Sequence, residues 1–374
     1  MYNIWNKWSC LKTCLLGNNY LPEFFDGIPG TVGDPLKKIC NETLEDLNSF
    51  KETLTQFGVE VIQPQMDPSE RFMDHPRRYP RGPLQVRDHM LVLGNDCYVS
   101  NRDHPAIEQT LDNFAPTVKI SGNDTLPYIS HAKYMCYKKD DWPEYMDYLQ
   151  NKNNPSYFTH TVLQEIQNNE YLYTPLRLNS ASTMMVNDRA VVGGLEPGYE
   201  TLPTDIMHML YPQTKHFNIE WQQIEGHSDG QFHPIKEGAI ISLHDVQTYS
   251  KTFPGWDVCY LPNQGNQHLP MKKWDRLKHK NKGKWWVAGE EDNDEFTAFV
   301  EQWLTDWVGY VEETVFDVNV LVIDEHHVCV SNTKNQTVNE FLKKHKMEPV
   351  YVPWRHRYFW DGGLHCITLD LARD

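Results

Sequence analysis

The sequence predicts an α/β fold in one domain spanning residues 1–374. Three observations lead there. A helical apolar pattern gives way at once to a β-type run near the start. Two strands, a helix and a third strand follow one another near the end. No linker composition cuts the chain between them. At 374 residues the chain has the length of two average domains, but closed α/β architectures of this size are regularly one. It is long enough to bury a large core.

From Asp34 to Phe57 the apolar residues Leu36, Ile39, Cys40, Leu44, Leu47 and Phe50 recur at helical spacing, and Val59-Glu60-Val61-Ile62 after Gly58 reads as the following strand. The run His89-Met90-Leu91-Val92-Leu93 is apolar and puts Asp88 at a strand start. Towards the end, Val320 to Ile323 and Val328-Cys329-Val330 predict a hairpin, Thr337 to His345 a helix, and Pro349-Val350-Tyr351-Val352 a strand. The segment carrying Cys366 comes next.

Hydrophobic content of 40% and charged content of 23% are those of a globular protein, and no apolar run reaches membrane-spanning length. The N-terminus lacks a basic-then-apolar leader pattern, so the mature chain is read as starting at Met1. Eight cysteines lie scattered with no CxxC pair, which argues against a zinc ribbon or a disulfide framework and for a reducing, cytoplasmic setting. A formal net charge of −16 disfavours nucleic acid and suits a cationic substrate. The basic stretch Lys272 to Lys284 runs straight into Glu290 to Glu295 and reads as a solvated loop of mixed sign.

Cys366 follows Gly362-Gly363, where tight backbone could bring peptide N–H groups towards a substrate and neighbours could tune the thiol. Alone, this cysteine would more often be a small buried hydrophobe. Two further motifs change that balance: Val86-Arg87-Asp88 before the apolar run, and Gly226-His227-Ser228-Asp229-Gly230-Gln231-Phe232. In that order, the three motifs resemble those of the amidinotransferases, in the guanidine-modifying pentein superfamily. Tyr2 to Trp8 followed by Leu15-Leu16-Gly17 is similar to the family's opening strand, and Val318 to Asp324 to the strand before its last helix. The resemblance implies a five-bladed α/β propeller of ββαβ units with pseudo-fivefold symmetry. It places family insertions and helices over the active-site face in the stretch 101–177.

The chemistry so implied is amidino transfer from a small guanidino donor, L-arginine, to an amine acceptor through an amidino-S-cysteine, without metal or organic cofactor and without a nucleic-acid or membrane partner. A guanidinium carbon is a poor electrophile, so attack requires a strong nucleophile, acceptors for the planar cation, and an acid for the departing amine. By resemblance, Cys366 supplies the thiolate and His227 the proton. Asp88 and Asp229 accept guanidinium N–H bonds. Arg87 and His365 are grouped with the substrate-binding residues, although Arg87 also reads as an ion-pair partner. His365 should face away from Cys366 if the segment is a strand. A homodimer is compatible with the resemblance, and nothing in the sequence decides it.

The chain also departs from the family. Glycine amidinotransferases carry a catalytic aspartate in Phe-Asp-Ala-Ala-Asp-Phe, and the best match here is Leu178-Asn179-Ser180-Ala181-Ser182-Thr183, which leaves Asn179 in the catalytic position. An amide can accept a hydrogen bond but cannot neutralise a guanidinium. Val246 stands where the family binds a carboxylate with arginine, and Glu312-Glu313 replace a serine pair. Hydrolysis of a guanidine and a non-catalytic binding role are the alternatives. Trp354 to Trp360, just before the nucleophile, is read either as a water-excluding lid or as a packed turn.

Overall fold

The structure, a computed structural model, describes residues 1–74, 81–99, 104–119, 136–138, 171–173, 178–193, 204–222, 227–243, 249–261, 287–304, 307–308 and 315–374. It opens with β1 (Leu11–Leu16), α1 (Gly30–Gln56) and β2 (Glu60–Ile62). β3 (Met90–Leu93), β4 (Asp96–Val99), α2 (Pro105–Phe114) and β5 (Val118–Lys119) follow. β6 (Cys136–Lys138) pairs with β7 (Tyr171–Tyr173). Next come β8 (Thr183–Val186), β9 (Arg189–Val192), α3 (Thr204–Leu210) and β10 (Asn218–Trp221). β11 (Phe232–Lys236), β12 (Ala239–Ser242), α4 (Tyr249–Thr252) and β13 (Asp257–Tyr260) repeat that order. The last stretch holds α5 (Asp294–Trp303), α6 (Val315–Val318), β14 (Leu321–Val322), β15 (His327–Val330), α7 (Gln336–Lys344), β16 (Glu348–Tyr351), α8 (Arg357–Trp360) and β17 (Thr368–Arg373).

Among the described residues the strands form five three-stranded sheets besides the β6–β7 pair. Each sheet is built alike: an antiparallel hairpin, then a helical crossover to a third strand parallel to the hairpin's second. A parallel neighbour needs such a crossover, because a tight turn can only reverse the chain. The exception in sequence is not one in space: β17 pairs antiparallel with β1, which pairs parallel with β2 after α1, so both chain ends build one unit.

Local chemistry accounts for these elements. In α1, Val32, Leu36, Ile39, Leu47, Phe50 and Leu54 are buried on one face, and the helix stops at Gly58, whose φ of 78° favours glycine. β3, β8 and β12 are buried along their whole length, as their continuous apolar runs require. The expected hairpin at 320–330, helix at 337–345 and strand at 349–352 lie within two residues of β14, β15, α7 and β16. Two expectations are corrected. The opening strand is Leu11–Leu16, while Tyr2 to Trp8 contributes only isolated bridges at Asn3 and Ile4. Within 101–177, Pro105 to Lys119 is no insertion but the crossover and third strand of a unit; most of the rest of that stretch lies outside the described residues.

Hydrogen bonds tie the units together where their first strands begin. Ser180 N–H donates to Met90 O at 2.7 Å, and Asp229 N–H to Ala181 O at 3.0 Å. The Asn319 amide donates to Asp229 O at 3.1 Å, and His365 N–H donates to Asn319 Oδ1 at 2.9 Å. Arg87 Nε returns to His365 O at 2.9 Å.

Candidate active site

Five sequence-predicted residues occupy four equivalent places, each just ahead of the first strand of a unit. Asp88 lies in the 3-10 turn Val86–His89 before β3, and Asn179 in the turn before β8. His227 caps, and Asp229 lies in, the 3-10 turn Ser228–Gly230 before β11. Cys366 is in the turn before β17. The remaining unit contributes Asn319, two residues ahead of β14, which the sequence reading passed over. Its signal was positional: in Val318-Asn319-Val320 it is a lone amide in an apolar run, just ahead of a strand like the other polar residues.

Asn319 is 1% exposed and organises the turn that carries Cys366. Its Oδ1 accepts from His365 N–H at 2.9 Å and Cys366 N–H at 3.0 Å, and its Nδ2 donates to Cys366 Sγ at 3.0 Å. The role expected of the two glycines therefore changes. The N–H groups of His365 and Cys366 turn to Asn319 and not to substrate. Gly363 is needed because a Cβ there would stand 2.6 Å from Asn319 Oδ1. The sharp turn itself comes from Asp361, at φ 51°.

Asp229 is fully buried, and its Oδ2 accepts from His365 Nδ1 at 2.8 Å and from the Cys366 thiol at 3.6 Å. Burial raises its carboxyl to about 6, against the opposing pull of His227 and Arg87. Burial and Arg87 hold His365 well below the usual imidazole range, so its ring is neutral and donates through Nδ1. Asp229 Oδ1 and Asp88 Oδ1 are both buried and have no hydrogen-bond donor among the described residues. His227, with 43% of its side chain exposed, places Nδ1 3.7 Å from Asp88 Oδ1. Burial alone would lower His227, but the carboxylates of Asp88, Asp229 and Asp361 outweigh it and raise the ring above its ordinary value. Burial first, then Asp229 and Asp88, push the Cys366 thiol well up, while the Gly363 backbone and Asn319 pull it back.

Three calls are corrected. Arg87 is 0% exposed and bonds Asp370 Oδ1 at 2.5 Å and the carbonyls of His365 and Thr368, so it holds the floor of the site and does not meet substrate. Lys7 and Arg373 complete that buried cluster around Asp370, whose carboxyl stays well below its ordinary range because three cations outweigh the effect of burial. His365 likewise lies beneath the site, yet it faces Asp229 together with Cys366, because the segment is a turn and not a strand. The lid reading of Trp354 to Trp360 fails: Trp354, Phe359 and Trp360 are core, and Trp354 Nε1 donates to Gly362 O at 2.7 Å, bracing the nucleophile turn.

Asn179 Oδ1 accepts from Ser182 N–H at 2.7 Å, so its acceptor end is engaged in the loop that contacts the Asp229 turn. Val246, Glu312, Glu313 and the basic stretch 272–284 lie outside the described residues. Among the described residues no group of His, Cys, Asp and Glu gathers as a metal site, and no helix is long and apolar enough to cross a membrane. The seven cysteines whose side chains are described are all free.

No protein-family model matches the chain, and no curated sequence matches it. Solved structures do. SxtG, an amidinotransferase of the saxitoxin biosynthetic pathway from Microseira wollei, superposes with a TM-score of 0.59 at 15% identity, covering 100% of this chain and 97% of that one. The inosamine-phosphate amidinotransferase StrB1 from Streptomyces griseus gives 0.59 at 13% identity, with coverage of 100% and 97%. DDAH from Pseudomonas aeruginosa, complexed with citrulline, gives 0.50 at 11% identity, with coverage of 96% and 99%. The chain shares the α/β fold of these proteins.

Proposed function

Proceeding from that shared fold, we propose that the protein is a cysteine-dependent amidinotransferase that moves the amidino group of arginine to an amine. One observation carries the reading. In acyl-transfer enzymes, peptide N–H groups beside the nucleophile stabilise a developing oxyanion. Here those N–H groups are occupied by Asn319, and what meets the sulfur's surroundings is two buried carboxylate oxygens, of Asp88 and Asp229, with no donor among the described residues. A buried acceptor without a donor costs about 1–3 kcal/mol, more when charged, so the arrangement favours a ligand bringing N–H groups and positive charge. A guanidinium does both, in a plane that suits two carboxylates.

The steps follow from the residues. Bound between Asp88 and Asp229, the cation offsets the carboxylates that hold the Cys366 proton; that proton passes to solvent, which the half-buried thiol can reach, and the sulfur becomes anionic while His227 keeps its own proton. Sγ attacks the guanidinium carbon, forming the S–C bond. The C–N bond to the departing amine breaks, and that nitrogen takes its proton from His227. Neutral His227 then takes a proton from the incoming amine, whose nitrogen displaces sulfur. Five units closing a ring about a pseudo-fivefold axis would place these residues around one centre. The β17–β1 pairing and the circuit of hydrogen bonds from Met90 through Ser180, Asp229, Asn319 and His365 to Arg87 support that ring. Residues 1–374 then form one domain. The free cysteines fit a cytoplasmic enzyme, and the family resemblance admits a homodimer.

Hydrolysis is the second reading, favoured by one observation: with the aromatic segment in the core and His227 partly exposed, water has access to the intermediate. Incubation with L-arginine, with and without a panel of primary amines, separates the two by mass spectrometry. Ornithine with a guanidinylated amine is the expected outcome; citrulline with ammonia would replace transfer by hydrolysis. Cys366→Ala should abolish turnover and any covalent adduct, and retention of either would remove Cys366 from the mechanism.

A further inference from the structure

We propose that Asn319 is a catalytic residue of this site: its amide nitrogen donates to Cys366 and holds the sulfur in its anionic form, while its carbonyl oxygen fixes the turn that carries the nucleophile. The proposal rests on the reading of Cys366 as the nucleophile, but not on which guanidine reacts.

The geometry assigns both ends of one side chain. Oδ1 can only accept and Nδ2 can only donate, and the partners sort accordingly. Two peptide N–H groups point at the oxygen; a carbonyl, at Asp229 O, and a sulfur face the nitrogen. Flipping the amide would set donor against donor at His365 and Cys366, so the orientation is fixed by four contacts. The nitrogen lies 3.0 Å from Sγ, close for an N–H donor to sulfur, and the side chain is 1% exposed, so water does not compete for that bond. The Gly363 backbone also favours the anion, whereas Asp229 Oδ2, at 3.6 Å from Sγ, can only accept. The two side chains therefore prefer opposite states. Asp229 favours a thiol that donates to it, and Asn319 favours a sulfur that accepts.

The backbone has been shaped around this contact. Gly363 lacks the Cβ that would stand 2.7 Å from Asn319 Cβ, and α6 delivers Asn319 directly from its C-terminal end at Val318. Thiolate is the nucleophilic form, and a donor aimed at sulfur raises its population without supplying a proton to substrate. When sulfur attacks and its charge is spent in the new S–C bond, the same donor weakens with it. It strengthens again as the incoming amine expels the sulfur.

The test is the pH dependence of iodoacetamide alkylation at Cys366, followed on its own peptide by mass spectrometry, which requires no turnover. Asn319→Asp keeps the acceptor oxygen for both N–H groups and loses the donor. Asn319→Ala loses the donor without adding charge, with Asn319→Leu, of similar size and likewise without a donor, in its place should the alanine variant not fold. Thermal unfolding establishes which variants are folded. The expected result is an alkylation midpoint at least one pH unit higher in the aspartate variant and in the folded neutral variant, or about tenfold less thiolate at neutral pH. A midpoint unmoved in a folded neutral variant would overturn the proposal, including the case where only the aspartate variant shifts, since added charge would then be the cause. Loss of turnover with an unmoved midpoint would likewise leave Asn319 a structural clamp. Arginine turnover failing in the unsubstituted protein would count against the proposed reaction alone, because the alkylation profile is read independently.

Discussion

His227 and Asp229 are separated by one residue, yet in the proposed reaction their environments suit one to give a proton and the other to hold a cation. Asp229, buried and short of donors, gives up its proton only near about 6, and below that pH it cannot hold a guanidinium as an ion. His227 is lowered by burial but raised more strongly by Asp88, Asp229 and Asp361, so it remains an acid above its ordinary value of 6.5. kcat/KM should therefore fall on the acid side near pH 6 and on the alkaline side above 6.5. The sign of the alkaline limb can be checked on the free protein. Asp88→Asn removes the first of the three carboxylates that raise the ring, so the NMR titration midpoint of His227 should move down; a midpoint that stays or rises would detach Asp88 from His227. For folding, a raised imidazole contributes stability below its unfolded value that is lost as pH rises through the folded one. Single residues were readable from sequence where chemistry is carried by the residue type. Cys366, His227, Asp88 and Asp229 fall together in space. Arg87 misled because a cation beside Asp88 says nothing about which way it faces, and only packing against Asp370 decides that.

The turn from Asp361 to Ile367 is the element on which the site depends. It is stiffened from three sides: Trp354 holds Gly362 O, Asn319 holds two N–H groups, and Arg87 holds His365 O. Sequence showed the Gly-Gly and the aromatic run, and the periodicity of a short run could not tell a packed brace from a lid. The distinction lies in burial, with Trp360 at 0% and Trp354 at 4% exposed. Gly363→Ala tests the element. The new Cβ would meet Asn319 at 2.6–2.9 Å, and Asn319 cannot withdraw without breaking its four bonds. Overpacking of this kind costs roughly 1–3 kcal/mol, which a lowered unfolding temperature would register. Displacement of a nucleophile by ~1 Å costs on the order of 100-fold in rate. A folded Gly363→Ala protein with unchanged kcat would show that the turn tolerates movement.

Across the whole molecule, the five site positions lie just ahead of the first strand of each unit, by two residues for Asp88, Asn319 and Cys366, three for Asp229 and four for Asn179. Two units were legible beforehand, those built on α1 and α7. Another crosses over through Tyr249–Thr252, whose few residues carry no readable period, and α2, Pro105–Phe114, fell in the stretch taken for insertions. The unit that joins both chain ends was invisible to any local pattern, because β1 and β17 lie 352 residues apart at Leu16 and Thr368 yet pair directly. Its energetics give a sharp forecast. Removing Asp374 alone breaks an exposed ion pair with Lys12, with the partners 49% and 62% exposed, and such pairs are worth about 0–1 kcal/mol. Removing residues 368–374 strips β1 of its neighbour, takes out Leu369 and Leu371, both 0% exposed, and leaves Lys7 and Arg87 buried without Asp370. Breaking a buried ion pair by itself costs roughly 3–5 kcal/mol, against a total of about 5–15 kcal/mol for a typical domain. The shorter deletion should therefore unfold at nearly the temperature of the full chain, while the longer one should show no cooperative transition by calorimetry. A cooperative transition in the longer deletion would mean that the remaining four units fold without the strand that joins the two ends.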